Sequence, residues 1–318
     1  MKKIVNRFLI LWTTALVLVL PAAAAELLVP GGQLIGLELR SNVITVSAFD
    51  PTLPAASDAG LKVGDELRSI DGRAITDPAD IRSALDRADG DVDVVVCRDG
   101  RELSIRVEPT VTPNGPKLGV HLRQGVTGIG TVTFYDPNTG DFATLGHGVS
   151  DAAGALLEMT AGCACPAGIQ SIDRGRVGTP GQIRGILSDD AQTGILRKNT
   201  PQGVFGTLEE IPDVQAIPVG TAAIGPAAIR STVSGDIPRE YSVEIVKIYP
   251  DSSPDGRNLL LKVTDPALLE TTGGIVQGMS GSPVIQNGRI VGAVTHVLVN
   301  DPTRGYGIFI ENMLEAAK

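Results

Sequence analysis

Gln277-Gly278-Met279-Ser280-Gly281-Ser282-Pro283 runs into an apolar stretch, the pair Asn287-Gly288, and a second apolar stretch from Arg289 to Val299. Asn-Gly between two such runs is a strong hairpin signal, because both residues accept the positive φ that a tight turn between twisted strands demands. Ser280 is thereby placed in a glycine-flanked turn just ahead of a β-hairpin. There its hydroxyl can be presented to a carbonyl carbon while the N–H groups of Gly278 and Ser280 point at the oxygen on which charge develops. Glycine at 278 lets the chain take the conformation that aims both donors inward. The same heptapeptide also fits an ordinary Gly/Ser turn on a barrel, so a base has to be found elsewhere in the chain.

The chain has three histidines, His121, His147 and His296. His147 lies in Leu145-Gly146-His147-Gly148, between glycines at a strand end, where an imidazole can stand clear of the backbone. An unperturbed pKa of about 6.5 makes it a usable base at neutral pH. The Ser280 segment resembles the nucleophile segment of chymotrypsin-like serine peptidases. In that resemblance Thr295 and His296, on the following strand, form the wall of the pocket for the residue before the cut. His296 is the reserve base, and His121 reads as structural. Three scattered histidines lack metal-ligand spacing, so neither a metal nor any other cofactor is expected. For the acid that would orient the base, spacing alone leaves Asp151, Asp173, Asp236 and Asp265 open.

Beyond these segments, 38 Gly, 21 Pro and many Val- and Ile-rich runs in 318 residues point to short strands joined by tight turns. A formal charge of −9 leaves no excess of Lys and Arg to displace counterions from a phosphate backbone, so nucleic acid is excluded as a partner and proteins or peptides are expected. Cys97, Cys163 and Cys165 are too few for a disulfide framework. Lys2, Lys3 and Arg7, the apolar run Phe8 to Leu20 and the small residues to Ala25 read as an export signal over 1–25, or a retained membrane anchor. The only tryptophan, Trp12, lies in it.

Residues 26–109 alternate strands with two short helices. In the second helix Asp77 is a cap, Pro78 fits the first position, and Ile81, Ala84, Leu85 and Ala88 recur on one face before Gly90. Ala59-Gly60-Leu61-Lys62-Val63-Gly64-Asp65 through Asp71-Gly72 resembles the corresponding stretch of bacterial PDZ domains. The resemblance places the peptide-carboxylate loop at Gly32-Gln33-Leu34-Ile35-Gly36-Leu37, with Leu34, Ile35, Gly36 and Leu37 against the peptide. Thr110 to Lys117, with Pro113, Asn114, Gly115 and Pro116, reads as a linker, and 118–318 as a β-barrel or sandwich domain ending in a helix from Ile310 to Ala317. The expected fold is mainly β, a small α+β PDZ-like domain followed by a chymotrypsin-like double β-barrel.

Pro30-Gly31-Gly32-Gln33, Leu145-Gly146-His147-Gly148, Thr264-Asp265-Pro266-Ala267-Leu268-Leu269 and Gly278-Met279-Ser280-Gly281-Ser282-Pro283 together resemble the SpoIVB peptidase family, the stage IV sporulation protein B signalling proteases. The resemblance implies a serine endopeptidase whose His, Asp and Ser fall on His147, Asp265 and Ser280. It further implies export from the forespore into the space between forespore and mother cell, cleavage of a membrane-associated regulator that leads to activation of a late sigma factor, and self-cleavage near the N-terminus. Two rivals remain. An HtrA-like quality-control protease would place its PDZ modules after the catalytic residues, and a catalytically silent peptide-binding scaffold would keep Ser280 out of hydrogen-bond reach of a histidine.

Overall fold

The computed structural model describes residues 26–151, 154–188, 193–249 and 257–318. The segment read as an export signal lies outside the described residues, as does Trp12. No described helix is long and apolar enough to cross a membrane.

Two six-stranded barrels form the bulk of the protein. In the first, Leu34–Arg40 pairs with Val126–Tyr135, which pairs with Asp141–Thr144. Asp141–Thr144 pairs with Gly203–Leu208, then Gly194–Thr200, then Ala161–Asp173, which returns to Leu34–Arg40 and closes the ring. The second barrel closes through Gly225–Ser231, Arg239–Ile248, Leu259–Val263, Asp301–Phe309, Arg289–Leu298 and Pro283–Gln286. Strands such as Leu259–Val263 alternate buried and outward side chains, as a barrel wall requires. The expected Asn287-Gly288 turn joins Gln286 to Arg289, with φ of 52° and 70°. The closing helix is Ile310–Ala317, docked through Ile310 and Met313.

Between the first two strands of the first barrel, the chain leaves to build a third unit. Its sheet runs in the order Val120–Arg123, Ile44–Phe49, Glu66–Ile70, Val92–Arg98, Arg101–Val107. The helix Pro78–Leu85 covers it with Ile81, Ala84 and Leu85 and carries the expected Asp77 cap, reinforced by the Asp80 carboxylate accepting from Asp77 N. The core of this unit, from Ile44 to Leu118, contains no barrel residue. Asp65 is fully buried within it. Desolvation alone would raise its carboxyl, but paired bonds from Arg98 at 2.6 and 2.7 Å, with the Lys62 N–H, hold it below the usual carboxylate range.

This connectivity corrects the domain boundaries expected from the sequence. Leu34, Ile35, Gly36 and Leu37 do not form a peptide loop. They are ladder residues of the first barrel, opposite Thr131, Gly130, Ile129 and Gly128. The expected linker is also folded, as a small hairpin of Thr110–Thr112 and Gly115–Lys117 beneath the helix. The PDZ-like unit is therefore an insertion between Arg40 and Val126, not a domain placed ahead of the barrels.

Candidate active site

Ser280 lies in the turn entering Pro283–Gln286, and one strand of the first barrel, Val126–Tyr135, holds that turn through three hydrogen bonds. Thr131 N donates to Ser280 O at 2.9 Å, Thr131 Oγ1 to Gly278 O at 2.7 Å, and Thr133 Oγ1 to Gly281 O at 2.8 Å. A Cβ at Gly281, whose φ is 96°, would collide with the Thr131 carbonyl, so only glycine allows the second barrel's turn to lie against the first barrel's strand. Neither threonine was singled out from the sequence. A β-branched residue with a hydroxyl is common in strands, and its role depends on a pairing across more than 140 residues.

The middle of the chain supplies the fourth contact. Ala161–Asp173 and Gln182–Leu187 form a long hairpin whose far strand reaches the residue before Gly278. Ile183 N donates to Gln277 O at 2.8 Å, and Gln277 N to Gly181 O at 2.9 Å. Gly278 takes φ 97°. Among the described residues, neither Gly278 N nor Ser280 N donates to a protein acceptor, so both are available to a ligand oxygen. Two free N–H groups side by side can hydrogen-bond a single oxygen.

His147 follows the strand Asp141–Thr144 through Leu145 and Gly146, both at positive φ. Its ring stands 5.0 Å from that of His296, centroid to centroid. Both histidines, Ser280, Gly278 and Thr295 line one cavity of about 640 Å³ between the barrels. His147 Nδ1 lies 2.9 Å from Gly148 O. A carbonyl can only accept, so this contact fixes the proton on Nδ1 and leaves Nε2 as the basic nitrogen. Burial lowers the His147 pKa, partly offset by the Gly148 bond. The loop after it is clamped by Asn199, whose Oδ1 accepts from Val149 N and whose Nδ2 donates to Val149 O and Leu157 O.

Asp265 does not take the place expected beside His147. It is the N-cap of the helix Pro266–Thr272, where its carboxylate accepts from Leu268 N at 3.0 Å and Ser242 N at 3.2 Å. Among the described residues no carboxylate forms an ion pair with His147. Asp173 pairs with Arg184, Asp151 accepts from Ala155 N, and Asp236 is exposed. Ser280 Oγ donates to Thr295 O at 2.7 Å rather than to His147. Thr295 and His296 both border the cavity.

A second cavity, of about 700 Å³, lies in the PDZ unit between the helix Pro78–Leu85 and the strand Val120–Arg123. Among the described residues that strand pairs with Ile44–Phe49 alone, which leaves its other edge open. At its head, Leu118 and Gly119 use their carbonyls to accept from Ala56 N and Asp50 N, while their own N–H groups have no protein acceptor among the described residues. A Cβ at Gly119, at φ 74°, would meet the Leu53 carbonyl. The glycine turn sought at Gly36 is thus formed by Lys117-Leu118-Gly119-Val120. His121, read as structural, lines this groove with Arg82 and Lys117.

Two β-barrels sharing a cleft, with a PDZ unit inserted into one of them, give this protein the double-barrel architecture of chymotrypsin-like serine peptidases. The chain belongs to the SpoIVB peptidase S55 family, whose model matches residues 114–314, and a PDZ domain model matches residues 45–98. Curated relatives match shorter stretches. A protein bearing the name zinc metalloprotease in Agrobacterium fabrum is 34% identical over 107 residues, 33% of this chain and 27% of that protein. A DegP-like periplasmic serine endoprotease of Marinomonas is 34% identical over 95 residues, 29% of this chain and 20% of that protein. The chain thus spans about a quarter or less of the length of these relatives. Among solved structures, an inactive form of the Rv3671c protease aligns with TM-score 0.35 and 14% identity, over 59% of this chain and 81% of that one. The HtrA-type protease AlgW with a decapeptide aligns with TM-score 0.37 and 12% identity, over 65% and 57%.

Proposed function

We propose that Ser280 is the nucleophile and His147 its general base, and that the enzyme carries out narrow regulatory proteolysis after export across the cytoplasmic membrane. The observation that carries the residue assignment is the shared cleft. It brings Ser280, His147 and the unengaged N–H groups of Gly278 and Ser280 to one cavity wall, from segments over 130 residues apart. In the reaction, the Ser280 hydroxyl turns from Thr295 O and gives its proton to His147 Nε2 as Oγ bonds to the substrate carbonyl carbon. The carbonyl oxygen takes the negative charge between the two N–H groups. The C–N bond breaks as His147 returns the proton to the leaving amine, and water attacking the acyl-enzyme repeats the steps in reverse roles. Among the described residues it is Gly148 O, not a carboxylate, that holds Nδ1–H.

Family membership supports a sporulation role: a membrane-associated regulator cut in the space between forespore and mother cell, with a late sigma factor activated downstream, and self-cleavage near the N-terminus. The open groove of the PDZ unit supports an extended peptide adding as a strand beside Val120–Arg123, its carboxylate on the N–H groups of Leu118 and Gly119. The Ser280–Thr295 bond, with the lack of a carboxylate on His147 among the described residues, favours a catalytically silent scaffold, and a single experiment separates the readings. Wild-type protein should take one fluorophosphonate adduct, read by intact mass. Ser280→Ala should abolish it, and His147→Ala should slow it by orders of magnitude, as expected when nucleophile and base act as a unit. Labelling that persists in Ser280→Ala, or none in wild type even with peptides filling the PDZ groove, would reject the assignment.

A further inference from the structure

The strand that holds the Ser280 turn and the strand that edges the PDZ groove belong to one two-stranded ribbon. Val120–Arg123 pairs with Ile44–Phe49, and just beyond Gln124-Gly125 the same chain pairs, as Val126–Tyr135, with Leu34–Arg40. The outer edge of this ribbon carries no strand from Val120 to Gly130 among the described residues. At Thr131 that edge meets the nucleophile turn, where Thr131 N donates to Ser280 O. Backbone polar groups alternate sides along a strand, so Thr127 and Ile129 present theirs to the same outer side as Thr131. Open space follows the edge throughout. Val126 and Ile129 border the cleft of Ser280, Arg123 and Gly125 border a cavity of about 290 Å³, and Val120 and Leu122 border the PDZ groove. The junction is held by contact on both sides: Gln124 Nε2 donates to Thr76 O at 2.8 Å, just ahead of the groove helix, and a Cβ at Gly125, at φ 103°, would collide with the Leu39 carbonyl.

We infer that the PDZ groove and the catalytic cleft grip the same polypeptide, and that the substrate is an extended chain whose free carboxyl terminus lies about ten residues beyond the bond that is cut. That length is the edge from Ile129 back to Leu118, at about 3.3 Å per residue. The inference rests on the readings of Ser280 as the nucleophile and of Leu118 N and Gly119 N as the carboxylate site. Direction follows from that anchor. A chain with its carboxylate at the head of Val120–Arg123 lies antiparallel to this strand, and along the ribbon it stays antiparallel to Val126–Tyr135. Traced backward from its terminus it therefore reaches Ser280 on the side of the leaving amine, so the fragment released with the tail is the one the groove retains. Docking of the tail makes the encounter at Ser280 intramolecular, at an effective concentration in the millimolar range for a short tether. A chain whose end is blocked, or lies too near the bond to reach Leu118, loses that gain. The ribbon thus selects by distance from the terminus, whatever residues flank the bond.

The test uses two mixtures of randomised peptides of about 24 residues, one with a free carboxyl terminus and one amidated, digested by the whole chain, with cut positions read by mass spectrometry. Fluorophosphonate labelling of Ser280 and the binding of a fluorescent free-acid peptide mixture of about six residues are measured beside it. The free-acid mixture should be cut at least about tenfold faster than the amidated one, and its released C-terminal fragments should cluster at about ten residues. Peptides lengthened at the amino end should give the same fragment length. Failure of the fluorophosphonate to label Ser280 strikes the nucleophile reading, and failure of the short free-acid mixture to bind strikes the carboxylate site. Labelling and binding together with equal rates on the two long mixtures, fragment lengths spread evenly, or no cutting of the free-acid mixture overturns the shared-substrate inference and leaves both readings standing.

Discussion

At the scale of single residues, His147 and Asp265 differ from their sequence reading in instructive ways. An imidazole needs its second nitrogen held, and a buried carboxylate is one way to hold it. Here the Gly148 carbonyl does so, and it supplies orientation without a countercharge. A charged imidazolium in that site is therefore disfavoured by desolvation, the main reason the His147 pKa lies below its ordinary value of 6.5. The sign follows. Neutral His147, the form that accepts a proton, persists on acidification past pH 6.5, and folded-state stability from this group is present above that pH and lost as pH falls through the lowered value. The acid limb of the labelling rate at Ser280 should accordingly have its midpoint below 6.5, and Asp265→Ala should leave that midpoint in place. The variant should instead lose about 0.5–2 kcal/mol of stability, the usual cost of an N-cap. A fall in rate of about 10⁴, or a shifted limb, would show Asp265 supporting the imidazolium after all.

At the scale of elements, what the sequence made legible was local, and what it hid was long-range. The Asp77-capped helix, the Asn287-Gly288 turn and the closing helix Ile310–Ala317 each depend on residues within a few positions of one another. Asp265 enters through family resemblance, while the residues around it spell a capping pattern, Asp-Pro followed by an apolar face, and cap a helix in the structure. The threonines on Val126–Tyr135 carried no such signal. Thr131 is wholly buried, and its hydroxyl donates to the carbonyl of Gly278, whose N–H is one of the two proposed oxyanion donors. Thr131→Val keeps the shape and removes the donor, leaving a half-buried carbonyl unsatisfied at a cost of about 1 kcal/mol. The expected signature is a kcat lower by about 10- to 100-fold with KM nearly unchanged, since the loss falls on a group engaged in the transition state. A rise in KM alone would assign the bond to ground-state packing.

At the scale of the whole molecule, the sequence announced a PDZ unit and a barrel unit but misplaced the seam between them, because a chain read from its start is expected to finish one domain before beginning the next. Gly32-Gln33-Leu34-Ile35-Gly36-Leu37 and Lys117-Leu118-Gly119-Val120 both offer a glycine turn opening an apolar strand, and only the pairing partners tell them apart. The insertion has a testable consequence. Leu39 and Val126 face each other in the first barrel's ladder, so the PDZ unit leaves and re-enters at adjacent points of one antiparallel pair. Its core is separate from the barrel cores. Replacing residues 41–124 by Asn-Gly should convert the excursion into an ordinary hairpin and yield a folded two-barrel protein that still labels at Ser280. Removing residues 1–109, the cut suggested by a PDZ domain ahead of a linker, should instead take away Leu34–Arg40, which lies between Val126–Tyr135 and Ala161–Asp173. That loss opens the barrel and exposes both neighbouring edges. Cooperative thermal unfolding with Ser280 labelling in the first variant, and neither in the second, is the outcome the topology requires; the opposite pattern would mean that the barrel does not depend on the strand preceding the insertion.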